Sequence, residues 1–192
     1  GGVSCHAQVR RGHRHASRQE GRTAALGGWR RAPQRAPGRV AESRSDDRPR
    51  IACLGAGAAF SVERYSAGIV VDGHVLLDAG APLLPHLHKL GIDPGAIDVI
   101  FLTHFHGDHT IGLPSYVLHR AFISPAPLTI VGPSRLAERP ESLFRAAWGA
   151  DWDVMRAQVQ VTYREAGERG SVAGVDFETV QLDHGSSGCT GY

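Results

Sequence analysis

The spacing of apolar positions after residue 50 changes repeatedly, and each spacing is typical of one kind of secondary structure. RIACLG predicts a first strand. The apolar runs of AGIVVD and HVLLDAG, separated by Asp72-Gly73, predict a β-hairpin, because glycine readily adopts positive φ. IDVIFLT and PLTIVGP are mostly apolar runs without alternation, as strands covered on both faces are. QVQVTYRE and GVDFETVQLDH alternate and predict two half-buried strands.

Helical spacing separates these strands. APLLPHLHKLG predicts a short helix that stops at Gly91, and TIGLPSYVLHRAF predicts a second helix. SRLAERPESLFRAAWG predicts a third, with Ser134 as its N-cap and a break near Pro140. Helices interleaved with strands predict the α/β (α+β) class, with sheets covered by helices.

The first fifty residues show neither the alternation of a strand nor the spacing of a helix. They are rich in Arg, Gly, Pro, Ser and Ala, and their 12 arginines against four acids give a charge of +8. Residues 51–192 carry nine basic and 15 acidic residues, a charge of −6. Because so little of the basic segment could be buried, we predict that residues 1–49 form an Arg-rich disordered extension and residues 50–192 a domain. The extension is either a basic arm that contacts nucleic-acid phosphates or an incidental extension, and we favour the second because composition alone is a weak signal.

Bulk properties narrow the class of protein. A length of 192 residues and a hydrophobic fraction of 42% fit one domain with an appendage. No apolar run is long enough to span a bilayer, and three scattered cysteines cannot form a disulfide framework, so we expect a cytoplasmic protein without a membrane segment. The only methionine is Met155, so we also expect this chain to be a fragment.

The segment THFHGDHTIGLP, residues 103–114, concentrates metal-ligand side chains directly after a predicted buried strand, where α/β proteins usually bind ligands. His104 and His106 point to the same side of an extended backbone and can reach one ion. Gly107 is expected to turn the chain, so that Asp108 and His109 address a second position. Nitrogen and carboxylate ligands without thiolate favour Zn²⁺, with Mn²⁺ or Fe²⁺ as alternatives. A coincidental surface cluster is the other interpretation, and four ligand-type residues within six positions argue against it.

A catalytic zinc ion normally has three protein ligands and a water, so a third imidazole must come from elsewhere. The remaining candidates after residue 50 are His74, His86, His88, His119 and His184. The first lies in the predicted hairpin turn, and the next three lie in predicted helices, where packing or exposure to solvent is the simpler interpretation. His184 ends a predicted strand and opens the loop HGSSGCTGY, which repeats the placement of the main motif. We therefore favour His184.

The segment THFHGDHTIGLP resembles the HxHxDH signature of the metallo-β-lactamase-fold hydrolases. ACLGAGAAF, the strand HVLLDAG with Asp78, and His184, which lies 75 residues after His109, fall in the family's order. The segments GLP and PLTIVGP, and a histidine followed by a loop ending in GY, resemble the ribonuclease Z-like branch. The resemblance covers residues 50–192. It implies a metallo-β-lactamase αβ/βα sandwich, of which this chain is expected to be a C-terminally truncated copy.

The resemblance also implies a site with two zinc ions per complete domain. His104, His106 and His184 would hold the first ion, and Asp108 and His109 the second. Asp78 would orient a ligand or the loop, although a plain turn-capping aspartate is an equal alternative. Family members carry a further bridging aspartate and a final histidine downstream, so the second ion has only two ligands in this chain. DAGAPLL stands where ribonuclease Z usually has DCGEGTQ, which counts against tRNA 3′-end processing.

The implied activity is hydrolysis by a zinc-bound hydroxide, because zinc lowers the pKa of bound water to about 7. Asp108 would accept the proton of the water. The first substrate class is a phosphodiester, either RNA or a small cyclic or aryl compound. Alternatives are a lactone, thioester or β-lactam hydrolase and a non-catalytic metal-binding module, and a homodimer is compatible with each. Iron oxidoreductases of this fold tend to carry an acid at the position of His106, which argues against that class.

Overall fold

The computed structural model describes residues 49–185 and 188–192, and it centres on a six-stranded mixed sheet. Its strands, which also give the spatial order, are β1 Ile51–Gly55, β2 Gly68–Val71, β3 Val75–Leu77, β4 Val99–Phe101, β5 Leu128–Gly132 and β6 Val161–Glu165. The pairs β1–β2 and β2–β3 are antiparallel, whereas β3 to β6 run parallel. The predicted α/β class is confirmed.

The hairpin between β2 and β3 forms where the DG dipeptide predicted it. Val71 pairs with Val75, and the connection places Asp72 at a φ of 50° and Gly73 at 77°. Positive φ at consecutive turn residues gives the twist that a short hairpin needs, and Asp and Gly are among the residues that tolerate it. The turn is therefore specified locally.

Within the described part of the chain, five helices join or cover the strands, and two predictions about them are wrong. The helices are α1 Leu83–Lys89, α2 Gly107–Thr110, α3 Leu113–Phe122, α4 Glu138–Trp148 and α5 Asp151–Gln158, with a 3-10 turn at Pro94–Ala96. Ala137, not Ser134, precedes α4. Pro140 does not break α4, because it lies in the first turn, where its missing N–H has no partner within the helix. Helix α5, in which only Trp152 and Met155 are buried, was not predicted from the sequence.

Both faces of the parallel strands are covered. Ile100 and Ile130 face a large core that includes Tyr116, Phe144 and Trp152 from the helices. The opposite face carries a second cluster of Val75, Val99, Phe101, Val131 and Phe177. All three residues of β4 are buried, as the apolar run IDVIFLT predicts.

Two short strand pairs follow the main sheet. Strands β7 Arg169–Val172 and β8 Val175–Glu178 form one antiparallel pair, and β9 Val180–Leu182 pairs with β10 Cys189–Gly191. GVDFETVQLDH is therefore two strands rather than the one predicted, separated where the Thr179 N–H donates to the carbonyl of Glu168.

Among the residues that the structure describes, no helix is long and apolar enough to cross a membrane. The prediction for residues 1–49 falls almost entirely on residues 1–48, which lie outside the described residues.

Candidate metal centre

The candidate site lies at the edge of the sheet where the parallel strands end. Asp78 follows β3, and Thr103, His104 and His106 follow β4. The short helix α2 carries the next two predicted ligands, Asp108 and His109. His184 arrives from the segment between β9 and β10. The topology thus brings together residues that are up to 106 positions apart, from Asp78 to His184.

Three imidazoles converge on one point. Nε2 of His104 lies 3.1 Å from Nδ1 of His106, and Nε2 of His184 lies 3.3 Å from the same Nδ1. One ring nitrogen from each residue falls within 4.8 Å of the other two. Tetrahedral ligands at about 2.1 Å from a zinc ion would lie roughly 3.4 Å apart, so the donor set fits one divalent ion.

The competing histidines lie elsewhere. The ring of His86 packs edge-on against Tyr65 at 4.2 Å, and Nδ1 of His119 lies 3.2 Å from the Ser124 hydroxyl. His74 contacts the carbonyl of Asp72 in the hairpin. The placement of His184 at a strand end therefore identified the histidine that joins the cluster.

Asp108 and His109 form a second donor pair beside the three imidazoles. Oδ2 of Asp108 lies 3.5 Å from Nε2 of His109, and the His109 ring centroid lies 4.1 Å from that of His104. The expected role of Gly107 is wrong in one respect. Its φ lies outside the left-handed region and a Cβ there would contact nothing within 4 Å, so the change of direction comes from the start of α2.

Asp78 connects the strand ends to the histidines. Its side chain is buried and accepts hydrogen bonds from the Thr103 N–H at 2.8 Å and the Thr103 hydroxyl at 3.0 Å. Its Oδ2 also lies 2.7 Å from Nδ1 of His109. With Nδ1 directed at this carboxylate, the Nε2 of His109 faces Asp108. These contacts hold the His109 ring in one orientation and join it to Thr103, which is more than a turn-capping aspartate does.

Thr103 was not among the predicted site residues. Its hydroxyl oxygen lies 2.9 Å from Nδ1 of His104. Because the hydroxyl proton is donated to Asp78, the oxygen accepts the Nδ1 proton of His104, and Nε2 is left as an acceptor facing the cluster. The position of Thr103 next to the motif was the available signal, but its partner lies 25 residues away.

Burial and charge set the protonation of two imidazoles. Burial, reinforced by the neighbouring imidazoles of His109, His106 and His184, lowers the pKa of His104 to about 4. His104 is therefore neutral at pH 7, the form that binds metal. The hydrogen bond to Asp78 raises the pKa of His109.

Backbone contacts fix α2 against the end of β3. The Ala79 N–H donates to the His109 carbonyl at 2.7 Å, and the Gly112 N–H donates to the Ala79 carbonyl at 2.9 Å. A Cβ on Gly80 would overlap the carbonyl oxygen of Asp108. Glycine is therefore required here by close approach, a requirement that was not predicted from the sequence.

Strand β10 completes the surroundings of the motif. The Thr190 N–H donates to the Thr103 carbonyl at 2.9 Å, and the Tyr192 hydroxyl donates to the Leu102 carbonyl at 3.1 Å. Sγ of Cys189 lies 4.0 Å from Nδ1 of His104. The segment that follows His184 is thus attached to the segment that precedes His104.

Comparison with known proteins gives the family. Residues 49–191 match the family model described as the anti-Pycsar protein Apyc1. Ribonuclease Z from Aeropyrum pernix is 38% identical over 94 residues, which are 46% of this chain and 30% of that protein. The predicted resemblance to the ribonuclease Z-like branch is therefore confirmed, while the chain spans only about a third of the length of that relative.

Solved structures give the fold. A diphosphatase from the PhnP family has a TM-score of 0.58 at 21% identity, over 76% of this chain and 62% of that one. YhfI from Bacillus subtilis, a metallo-β-lactamase-fold protein, has a TM-score of 0.56 at 14% identity, over 74% of this chain and 56% of that one. The chain has the metallo-β-lactamase fold expected from its HxHxDH motif, and it belongs to the family of the anti-Pycsar protein Apyc1.

Proposed function

We propose that this chain provides the metal centre of a metal-dependent hydrolase that acts on phosphodiesters. The observation that carries the proposal is the convergence of three imidazole nitrogens within 4.8 Å, beside the carboxylate–imidazole pair of Asp108 and His109. The names of two similar proteins, a ribonuclease and a diphosphatase, support phosphodiesters as the substrate class, because both describe enzymes that cleave bonds to phosphorus.

The donor atoms support zinc, with Mn²⁺ or Fe²⁺ as alternatives, because nitrogen and carboxylate ligands prevail. His104, His106 and His184 would hold the first ion. Asp108 and His109 would hold part of the ligand set of a second. Bound there, divalent ions would make water nucleophilic at neutral pH and neutralise charge on phosphoryl oxygens.

The remaining residues hold protons in place. The chain of hydrogen bonds from Asp78 through the Thr103 hydroxyl keeps the proton of His104 on Nδ1, away from the cluster. Asp78 holds the His109 ring in the same way through its Nδ1. The carboxylate of Asp108 is 13% exposed, so it remains open to water and can accept the proton that the attacking water loses.

Substrate charge favours phosphodiesters over neutral esters at this site. An anionic substrate carries charge that divalent ions held by these residues would neutralise, whereas a lactone or thioester develops charge only as it reacts. RNA and small phosphodiesters both meet this description.

The first experiment measures metal content. The purified chain is loaded with zinc, dialysed and subjected to elemental analysis beside His106→Ala and, as a matched control, His88→Ala, an exposed helical histidine. We expect at least one zinc per chain, lost in His106→Ala and retained in His88→Ala. Hydrolysis of bis(p-nitrophenyl) phosphate is then compared with that of p-nitrophenyl acetate. A folded chain that retains no metal would contradict the proposal.

A further inference from the structure

Helix α2 is a single turn that joins the two parts of the predicted ligand set. It covers only Gly107–Thr110, and its N-cap residue is His106. The N-cap residue is a predicted ligand of the first ion, whereas Asp108 and His109 within the turn are predicted ligands of the second. A helix of one turn is not stable through its own hydrogen bonds, so neighbouring contacts must hold these residues in place.

The imidazole of His106 does not cap this turn. An N-cap side chain commonly accepts a backbone N–H at the start of its helix, but the His106 ring makes no such bond, and its Nδ1 lies 3.1 Å from Nε2 of His104. The backbone carbonyl of His106 is bonded to the turn instead. It accepts the His109 N–H at 3.0 Å and the Thr110 hydroxyl at 3.0 Å, as its two lone pairs allow.

Burial makes the bond from Thr110 difficult to replace. Thr110 is only 7% exposed, so a water molecule has little access to the position of its hydroxyl. The backbone of His106 is therefore fixed from inside the protein by Thr110, the residue that directly follows His109. The same carbonyl thus connects a predicted ligand of the first ion with the turn that carries those of the second.

Helix stability does not explain this bond. The Ser142 hydroxyl makes the same kind of bond in α4, where it donates to the carbonyl of Glu138, four residues earlier, at 2.7 Å. Such bonds slightly destabilise helices, a cost that an eleven-residue helix tolerates more easily than a single turn. The acceptor in α4 belongs to no predicted ligand, whereas the acceptor of Thr110 belongs to His106.

We propose that Thr110 is a positioning residue of the metal centre. Its hydroxyl acts through the His106 carbonyl and sets where the His106 imidazole stands relative to Asp108 and His109. This inference rests on the proposed function, because the metal centre of that function is the site that Thr110 positions.

The test compares Thr110→Val, which removes the hydroxyl with little change of shape, with Thr110→Ser, which keeps it, and with Ser142→Ala as the matched control. Competition with a chelator measures the zinc Kd of each folded chain, and the absorption spectrum of the Co²⁺-loaded chain reports the ligand geometry. We expect Thr110→Val to raise the zinc Kd about tenfold and to weaken the Co²⁺ bands, as for loss of a residue that orients a ligand. Thr110→Ser and Ser142→Ala should match the wild type. Circular dichroism checks folding, and Thr110→Ala takes the place of Thr110→Val if that variant does not fold.

The outcomes separate positioning from a purely structural role and from the proposed function. A lower unfolding midpoint in Thr110→Val, with the zinc Kd and the Co²⁺ spectrum unchanged, would overturn the inference. So would an equal rise of the zinc Kd in Ser142→Ala. A raised Kd in Thr110→Val alone, in a chain that hydrolyses no bis(p-nitrophenyl) phosphate, would retain Thr110 as a positioning residue and reject the hydrolase. A folded wild-type chain that binds no zinc would overturn both.

Discussion

The two halves of the candidate metal centre are built differently. His104 is 4% exposed and its Nδ1 is held by Thr103, which is held in turn by the buried Asp78. His106 and His184 are exposed, and His184 reaches the cluster from the connection between β9 and β10. We call the first set, with His109, the buried half and the second pair the open half.

This difference in burial separates side chains that the protein orients from side chains that a bound ion would orient. The buried half has its rings oriented by protein hydrogen bonds, so its geometry does not depend on an ion. The open half has more water around it, and an ion would contribute more to holding it in place. Substitutions in the buried half should therefore affect both folding and metal binding, whereas those in the open half should affect metal binding alone.

The largest effect is expected for Asp78→Ala. Three hydrogen bonds, from the Thr103 N–H, the Thr103 hydroxyl and His109 Nδ1, lose their acceptor. At about 1 kcal/mol each, the free energy of unfolding should fall by about 3 kcal/mol, and zinc affinity by roughly 10- to 100-fold. Urea denaturation measures the free energy of unfolding, and competition with a chelator measures the zinc affinity. Asp183→Ala, which removes an exposed carboxylate bonded to Gly185, is the control and should cost less than about 0.5 kcal/mol.

A glycine pair tests whether backbone contact supports the buried half. Gly80→Ala should lower the free energy of unfolding by about 2.5 kcal/mol, because its Cβ displaces the Asp108 carbonyl. Gly107→Ala should change it by less than about 0.5 kcal/mol, because the space around Gly107 is open. Thermal or urea unfolding measures the stability of both variants. Equal stability of the two would refute the close approach of Gly80 to the Asp108 carbonyl.

The free energy of unfolding of the metal-free chain should depend on pH through the protonation of His104. Its pKa is near 4 in the folded chain, whereas an ordinary histidine of the unfolded chain has a pKa of 6.5. The unfolded chain therefore binds the proton first as pH falls. The contribution of His104 to the free energy of unfolding is therefore fully present above pH 6.5 and falls by about 3 kcal/mol towards pH 4. His104→Gln should remove this part of the slope in urea melts recorded with a chelator, and an unchanged slope would disprove it.

The raised pKa of His109 makes stability depend on pH in the opposite direction. Its contribution to stability is present below pH 6.5 and is lost as pH rises through the higher folded pKa. The His109→Gln variant should therefore lose less stability than the wild type when pH is raised from 6.5 to 8.5.

Thr103→Val tests the link between Asp78 and His104 with little change of shape. The variant removes the hydroxyl and keeps the backbone N–H bond to Asp78. We expect a loss of about 1 kcal/mol in the free energy of unfolding and weaker zinc binding. Proton-detected NMR of the His104 ring should then show a mixture of tautomers, and a single unchanged tautomer would argue against the link.

The smallest effect on folding is expected in the open half. His184→Ala should change the free energy of unfolding of metal-free chain by less than about 0.5 kcal/mol, because the residue is exposed. The same variant should lose most of its zinc affinity. A large loss of stability without metal would erase the distinction between the two halves.

Local patterns in the sequence are enough to predict much of the site. His104, His106, Asp108 and His109 lie within six residues after a buried strand, so one strand and one turn bring them together. His184 shares the same placement at the end of an alternating segment, and the metallo-β-lactamase fold followed from the motif. The assignment of these residues as zinc ligands stays a prediction, as do the domain boundary at residue 49, the cytoplasmic location and a homodimer.

Features that depend on distant contacts were not predictable from such patterns. The requirement for Gly80 comes from Asp108, 28 residues later, and the role of Thr103 depends on Asp78. The beginning of α4 was misplaced because a serine is a good cap only if the backbone turns there, and Arg135 next to it has a φ of 62°.

The attachment of β10 to Thr103 has a consequence for the order of events during synthesis. The HxHxDH motif leaves the ribosome 75 residues before His184, and the Thr190 bond to Thr103 forms later still. A growing chain therefore has the buried half and His106 long before it has His184. If these residues bind metal as proposed, an ion that meets the nascent protein finds an incomplete ligand set until β10 has attached to the motif.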